Sequence, residues 1–253
     1  MMRNSFTSAY GHFRRLIFIG LTGFVMMIVG NNQSMAQDSP TFKVVELYTS
    51  QSCSSCPAAD KILEIMSRDT NTITLAYHIT YWDHLAWKDK LSLPAATQLQ
   101  KEFNAERNAP QIYTPQMVVN GEQEFVGSDG NKAAAALKSA TTVPEILLRR
   151  EEENLHITLP SINWQDAKSQ YRLMLLKIGA PHNQYIERGE NWSRTVFYTS
   201  PVIALDDIAH EFQSSNTISL PLQHEDGIHD VVILLREMRA GRIVAAGRHK
   251  IVR

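Results

Sequence analysis

The stretch VVELYTSQSCSSCPAAD, residues 44–60, constrains the fold of this chain more than any other. An apolar run passes within a few positions into two cysteines three apart, a proline and an amphipathic segment. Residues 42–48 (FKVVELY) are expected to form a mostly buried strand. Pro57 has no N–H and clashes inside a helix, so it belongs in a first helical turn. Ile62, Leu63, Ile65 and Met66 then share one helical face, and Asp60 near the start suits the positive end of the helix dipole. After a break at 69–71 (DTN), residues 72–79 (TITLAYHI) form a second apolar, β-branched run. Strand, helix and strand at this spacing make a βαβ unit with parallel strands and a right-handed crossover.

Residues 81–112 read as an insertion, with aromatic YWDHLAWKD at its start and a helix around 95–107. Asn120-Gly121 between two strand-like runs is the signature of a hairpin turn that needs positive φ twice. Ser128 can cap the helix that follows through NKAAAALKSA. The order is β-α-β, helical insertion, β-β-α. Beyond Ala140, Pro144 and RREEE read as a connector. Short strand candidates follow at 155–159, 171–178, 195–198, 218–222, 231–235 and 243–246, with DDIAHEFQ as one short helix. That pattern predicts a mostly antiparallel, sandwich-like second domain over 141–253.

The first residues set the context for the cysteines. Arg3, Arg14 and Arg15 precede an apolar run over 16–30, Ser34-Met35-Ala36 offers a cleavage site, and no acid occurs before Asp38. That order is expected of a secretory signal peptide over 1–36, and hence of a periplasmic or secreted protein. The run would reach roughly 22 Å as a helix, short of the ~30 Å core of a bilayer; retention as an uncleaved anchor is the alternative. The formal net charge is −1, and loss of the three arginines takes it to about −4. Without a basic tract there is no electrostatic support for nucleic acid or an anionic membrane as a partner.

Export implies an oxidising compartment, yet the chain has only two cysteines. A staple across so short a loop gives roughly 1.9 kcal/mol on the chain-entropy model, against ~3 for fifteen residues. A metal site needs further ligands. None of the nine histidines shows finger spacing, and His224 and His229 (HEDGIHD) miss the zincin pattern by one residue. A Cu(I) site from both cysteines and His78 or His84 remains chemically sensible. A redox pair has the most support. A thiolate at a helix N-terminus is stabilised by free backbone N–H groups and the dipole, and two thiols on one turn let Cys53 attack and Cys56 resolve the mixed disulfide. Thr114-Pro115 stands at the entrance to a strand opposite the pair, where a cis bond would free the Thr114 backbone to dock an extended substrate.

Other side chains are candidates for the same site. Glu46, in the strand that leads to the cysteines, can shuttle a proton to Cys56. His78, Tyr81, Trp82, His84 and Trp87 can wall a cleft, or simply pack the insertion onto the sheet. The loop IERGENWSR can tie the two halves together.

VVELYTSQSCSSCPAAD, YWDHLAWKD, YTPQMVVNGEQEFVGSD and IERGENWSRTVFY, in this order, resemble the bacterial secreted family known as domain of unknown function 1223, over about residues 42–253. The resemblance implies an α/β thioredoxin-like fold with a helical insertion over 41–140, followed by a β-rich C-terminal domain, and no demonstrated reaction. It also implies an acid where this chain has Thr80, which leaves Asp83 as the local carboxylate for proton transfer. The expectation is an exported thiol–disulfide oxidoreductase without a cofactor. Cys53 and Cys56 are its reactive pair, Thr114, Pro115, Trp82 and His84 bind substrate, and Glu46 and Asp83 handle protons. Its partners are an exported protein or small-thiol substrate and a separate redox partner. The alternative is a non-catalytic binding module or a Cu(I)-handling protein using the same cysteines.

Overall fold

The structure, a computed structural model, describes residues 41–109, 111–161, 171–209, 216–222, 227–238 and 241–251. The expected signal peptide, His224 and the end of the expected DDIAHEFQ helix lie outside these residues. No described helix is long and apolar enough to cross a membrane.

β1 (Thr41–Thr49) is buried on both faces from Val44 onward, so it needs cover on two sides. α1 (Cys56–Met66) crosses one face and leads to β2 (Thr72–His78), which pairs in parallel with β1 from Lys43↔Thr72 to Thr49↔His78. α2 (Pro94–Glu106) precedes β3 (Gln116–Val119) and β4 (Gln123–Val126). These last two turn at Asn120-Gly121, whose φ values are 52° and 70°. β3 lies antiparallel to β1 on the side away from β2, giving the order β2-β1-β3-β4. α3 (Gly130–Ser139) is capped by Asp129, whose carboxylate accepts the Lys132 N–H at 3.0 Å, rather than by Ser128. β5 (Val143–Pro144) returns to the start of β1.

The remaining strands are β6 (Leu147–Glu151), β7 (Asn154–Thr158), β8 (Tyr171–Gly179), β9 (His182–Ile186), β10 (Arg194–Tyr198), β11 (Val202–Ala209), β12 (Thr217–Pro221), β13 (Ile228–Glu237) and β14 (Ile243–Lys250). They build a four-stranded sheet β11-β8-β13-β14, a three-stranded sheet β12-β7-β6 and a two-stranded ribbon β10-β9. The stretch expected to be a connector holds β5 and β6. The first residues of the expected DDIAHEFQ helix end β11.

The sheets stack in layers. Val45 and Leu47 of β1 face Ala59 and Leu63 of α1 and Ala133 of α3. Val44 and Tyr48, pointing the other way, pack with Leu99 and Phe103 of α2 and with Met174, Leu176, Val232 and Leu234 of the four-stranded sheet. The far side of that sheet packs against the three-stranded one through Leu155, Ile157, Leu173, Val231 and Ile233. The ribbon closes over Trp87 with Ile186, Val196 and Tyr198.

This arrangement overturns the expected α/β class and the thioredoxin-like description. The chain is mostly β: of the described residues 46% lie in strands and 18% in three helices, spread over several small sheets. The physical reason is the cover on β1. Helices α1 and α3 take one face, but a second sheet takes most of the other. Apart from β1 with β2, every ladder between these strands is antiparallel. The βαβ unit is local, and the expected insertion supplies a single helix.

Candidate functional site

β1 and β2 run in parallel and end together at Thr49 and His78, and both cysteines lie just past that edge. After Thr49 the chain turns twice, with the Cys53 N–H on the Ser50 carbonyl (3.2 Å) and the Cys56 N–H on the Cys53 carbonyl (3.2 Å). α1 then begins at Cys56 with Pro57 in its first turn. The two sulfurs lie at disulfide distance, and the Cys53 sulfur also meets the Ser55 hydroxyl at 3.4 Å. Cys56 is fully enclosed, whereas Cys53 keeps 3% of its surface, next to exposed Ser54 and Ser55.

One helical turn on from Cys56, Asp60 is buried on the inner side of α1. It accepts the Thr49 hydroxyl at 3.2 Å, while its other oxygen has no hydrogen-bond partner among the described residues. Burial pushes its carboxyl up to about 7; the nearby His78 and the Thr49 hydroxyl pull the other way, and Asp89 adds to the rise. Asp60 is therefore a buried acid near neutrality and not the dipole-facing charge expected from its position in the sequence.

His78 lies below, with Nδ1 2.7 Å from Asp89 Oδ2. Burial alone would lower the imidazole, but the charge and hydrogen bond of Asp89, with Asp60 and Asp83, outweigh it and raise its pKa. Asp89 also accepts the Gln51 and Leu91 N–H groups, each at 2.8 Å. Gln51 in turn takes the Trp87 indole N–H at 2.9 Å, and the Ser52 hydroxyl donates to the Trp87 carbonyl. The segment after β2 thus braces the loop that carries the cysteines.

The structure brings together some of the expected residues and separates others. The indole of Trp82 donates to the Thr114 hydroxyl at 2.7 Å, and the Thr114–Pro115 bond is cis. Since Gln116 pairs with Tyr48, Pro115 stands at the same edge of the sheet as the end of β1. His84 is exposed and meets the Tyr81 carbonyl at 2.9 Å. The Asp83 carboxylate accepts the Ser92 hydroxyl at 2.6 Å and the Asp89 N–H at 3.3 Å, which makes it a brace of its own loop.

Glu46 corrects the expectation most clearly. It points to the face of β1 opposite α1, is fully buried and is ion-paired with Arg236 of β13, so it does not serve Cys56. The Cu(I) reading gains no third ligand either. The described residues hold no group of three or more His, Cys, Asp or Glu placed to hold a metal ion.

Sequence reasoning missed Asp60 as a buried acid and Asp89. The four-residue spacing of Cys56 and Asp60 was the available signal for the first. Asn191 stands in the loop expected to tie the two halves together. It reaches in from the loop after β9, and its Nδ2 donates to the carbonyls of Gln51 (2.9 Å) and Cys53 (2.8 Å).

Comparison with known proteins bears on this geometry. The model of the family described as protein of unknown function (DUF1223) matches residues 44–236, from β1 to Arg236 of β13. This chain belongs to that family. The matched span includes the cysteine pair, Asp60, His78, Asp89 and Asn191. Among solved structures, the DUF1223 chain is similar to the crystal structure of a protein from Agrobacterium tumefaciens. That likeness has 22% identity and a TM-score of 0.66, over 83% of this chain and 93% of that one. It is also similar to HBP35 of Porphyromonas gingivalis, at 14% identity and a TM-score of 0.54, over 84% of this chain and 76% of that one. Both likenesses concern the fold. No match is found among curated proteins.

Proposed function

We propose that this DUF1223 chain is a thiol–disulfide exchange protein that works outside the cytoplasm on an exported protein or a small disulfide. One observation carries the reading: a cysteine pair at disulfide distance opens α1, with a buried carboxyl near neutrality one turn behind it. An acid of that strength can take up and return a proton at neutral pH. The export pattern of residues 1–36 supports the compartment.

In the reduced pair, the Cys53 thiolate attacks one sulfur of a substrate disulfide. The substrate S–S bond breaks, and one sulfur leaves as a thiolate that takes a proton from solvent. Cys56 passes its proton to Asp60 and attacks Cys53. That step expels the second substrate thiolate and closes the Cys53–Cys56 disulfide. Two electrons have passed to the substrate, and an external dithiol returns the pair to its reduced form by the reverse steps. Thr114 and Pro115 at the same sheet edge, with Trp82 against Thr114, offer the surface on which substrate lies.

The test is the equilibrium of the pair with glutathione together with reduction of insulin disulfides by the chemically reduced chain, using Cys53→Ser as control. A measurable equilibrium and an activity lost in the variant support the reading. Identical behaviour of wild type and variant in both measurements sinks it.

A further inference from the structure

The loop between β9 and β10 belongs to the second half of the chain, yet it closes on the cysteine turn. It is a built structure. The Ser193 N–H bonds the Ile186 carbonyl at 2.9 Å, the Trp192 N–H bonds the Gly189 carbonyl at 3.1 Å, and Gly189, at φ 78°, lies against Trp87. Asn191 is 1% exposed, and Arg194 donates to its oxygen at 3.1 Å. That bond fixes the amide so that its NH₂ faces the carbonyls of Gln51 and Cys53. Beside it the Glu190 carboxylate accepts the Ser54 N–H at 3.1 Å, directly after Cys53.

A carboxylate there has a predictable electrostatic effect. A negative charge next to a thiol disfavours the thiolate. It does not act on the disulfide, which carries no charge. We propose that the loop over 187–193 is an electrostatic control on the cysteine pair: Asn191 holds the Cys53 turn, and Glu190, seated on the Ser54 amide, raises the cost of the Cys53 thiolate and so favours the disulfide. Glu190 is a tuning residue, not a catalytic one. The inference rests on the exchange reading for its purpose, while its physical content concerns Cys53 alone.

Among the described residues, the other charged and titratable groups of this loop and beneath the turn include the exposed Glu187 and Arg188, Arg194, Asp60 of α1, His78 of β2 and Asp89 after it, which holds the Gln51 N–H. Arg194 is neutralising in sign but is directed to the Asn191 oxygen. Asp60, His78 and Asp89 are buried beneath the turn and stay unchanged in the test. Glu190 is exposed, so substitution there leaves the fold intact, and solvent limits the effect to a few-fold.

The experiment compares Glu190, Glu190→Gln and Glu190→Lys in the whole chain. The rate of iodoacetamide reaction is followed against pH in a Cys56→Ser background, where Cys53 alone reports. The glutathione equilibrium is measured with both cysteines present. Glu190→Gln is expected to lower the alkylation midpoint, speed the reaction on its acid side about threefold, and shift the glutathione equilibrium toward the dithiol by about the same factor, or about 14 mV. Glu190→Lys moves both further in the same direction, and about 1 M salt, with a screening length of about 3 Å, shrinks the differences. A contact of purely structural value would not grade with charge. Coincident midpoints in the three proteins, or a midpoint that rises on removal of the charge, overturn the inference. If the wild-type pair fails to exchange with glutathione while the midpoints still move, the exchange reading falls and the control by Glu190 stands.

Discussion

Glu46 at the middle of β1 is ion-paired with Arg236 of β13, 190 residues later in the chain. Both side chains are buried, at 1% and 4% exposure. Arg236 also donates to the Gly241 carbonyl at 2.9 Å, and the charge of Glu46 more than offsets burial in raising its basicity. The pair joins the first sheet to the four-stranded one across an otherwise apolar interface. Removing one partner leaves a buried charge uncompensated, so Glu46→Gln is expected to cost about 3–5 kcal/mol in urea denaturation. Replacing both, as Glu46→Leu with Arg236→Met, is expected to cost much less than the sum of the single changes. An unchanged midpoint for Glu46→Gln would show that the pair contributes little to joining the sheets.

Asp60 makes stability fall as pH rises. Its folded-state carboxyl sits at about 7, against 3.8 for an unperturbed aspartate. Between those values the folded chain holds a proton that the unfolded chain has released, so each pH unit in that window costs about 1.4 kcal/mol. Below about 4 both states are protonated and the penalty vanishes. Asp60→Asn removes the titration but keeps an acceptor for the Thr49 hydroxyl. Its melting temperature is expected to exceed that of wild type at pH 8, with the gap closing toward pH 4. The same variant is expected to slow resolution of the mixed disulfide while leaving the first attack by Cys53 intact. A gap that does not change with pH would mean that Asp60 ionises freely in the folded chain.

Local chemistry made part of this molecule legible. The buried run before Thr49, Pro57 in the first turn of α1 and the positive φ pair at Asn120-Gly121 each follow from a few neighbouring residues. The cysteine pair was legible for the same reason. What could not be read depends on distant partners. Glu46 looked like a proton shuttle for Cys56 because nothing near it in sequence announces Arg236. Asp89 drew no reading from the aromatic segment it ends, because its imidazole and amide partners lie elsewhere in the chain. β6 was hidden by its charges: in Leu147–Glu151 exposed and half-buried positions alternate, so RRE reads as a connector. The fold class was misjudged because a compact motif near the start outweighed weaker signals from many short strands. The second sheet that covers β1 is spread over residues far from it in sequence.

Gly121 shows how closely the two halves approach. Its φ is 70°, and an added Cβ would fall 1.9 Å from the Gly241 carbonyl oxygen. Gly121→Ala combines a left-handed backbone, about 1–2 kcal/mol, with a backbone clash that no rotamer relieves, so a loss of at least about 2 kcal/mol is expected. Gly227 has φ 94° and nothing among the described residues within 4 Å of an added Cβ, so Gly227→Ala isolates the backbone part and is expected to cost less. Equal losses in thermal or chemical denaturation would mean that the contact between residues 121 and 241 gives way on substitution.

Asn191 joins the second half of the chain to the cysteine turn by two hydrogen bonds, at 2.9 and 2.8 Å, to the carbonyls of Gln51 and Cys53. Truncation to Ala leaves the Gln51 carbonyl without this donor in a buried setting, while the Cys53 carbonyl keeps the Cys56 N–H at 3.2 Å. An unsatisfied buried group costs about 1–3 kcal/mol, so a net loss of about 1–3 kcal/mol is expected. Asn191→Asp cannot donate and adds a charge facing two carbonyl dipoles, so it is expected to be at least as damaging. Asn183, exposed on β9 of the same ribbon, supplies the comparison: Asn183→Ala should stay within about 0.5 kcal/mol of wild type. The loss at 191 should also loosen the turn itself, which faster alkylation of Cys53 in the reduced chain would reveal at a pH where the thiol is fully ionised and electrostatic effects on its titration no longer matter. Asn191→Ala behaving like Asn183→Ala in both readouts would mean that the loop lies over the cysteines without holding them.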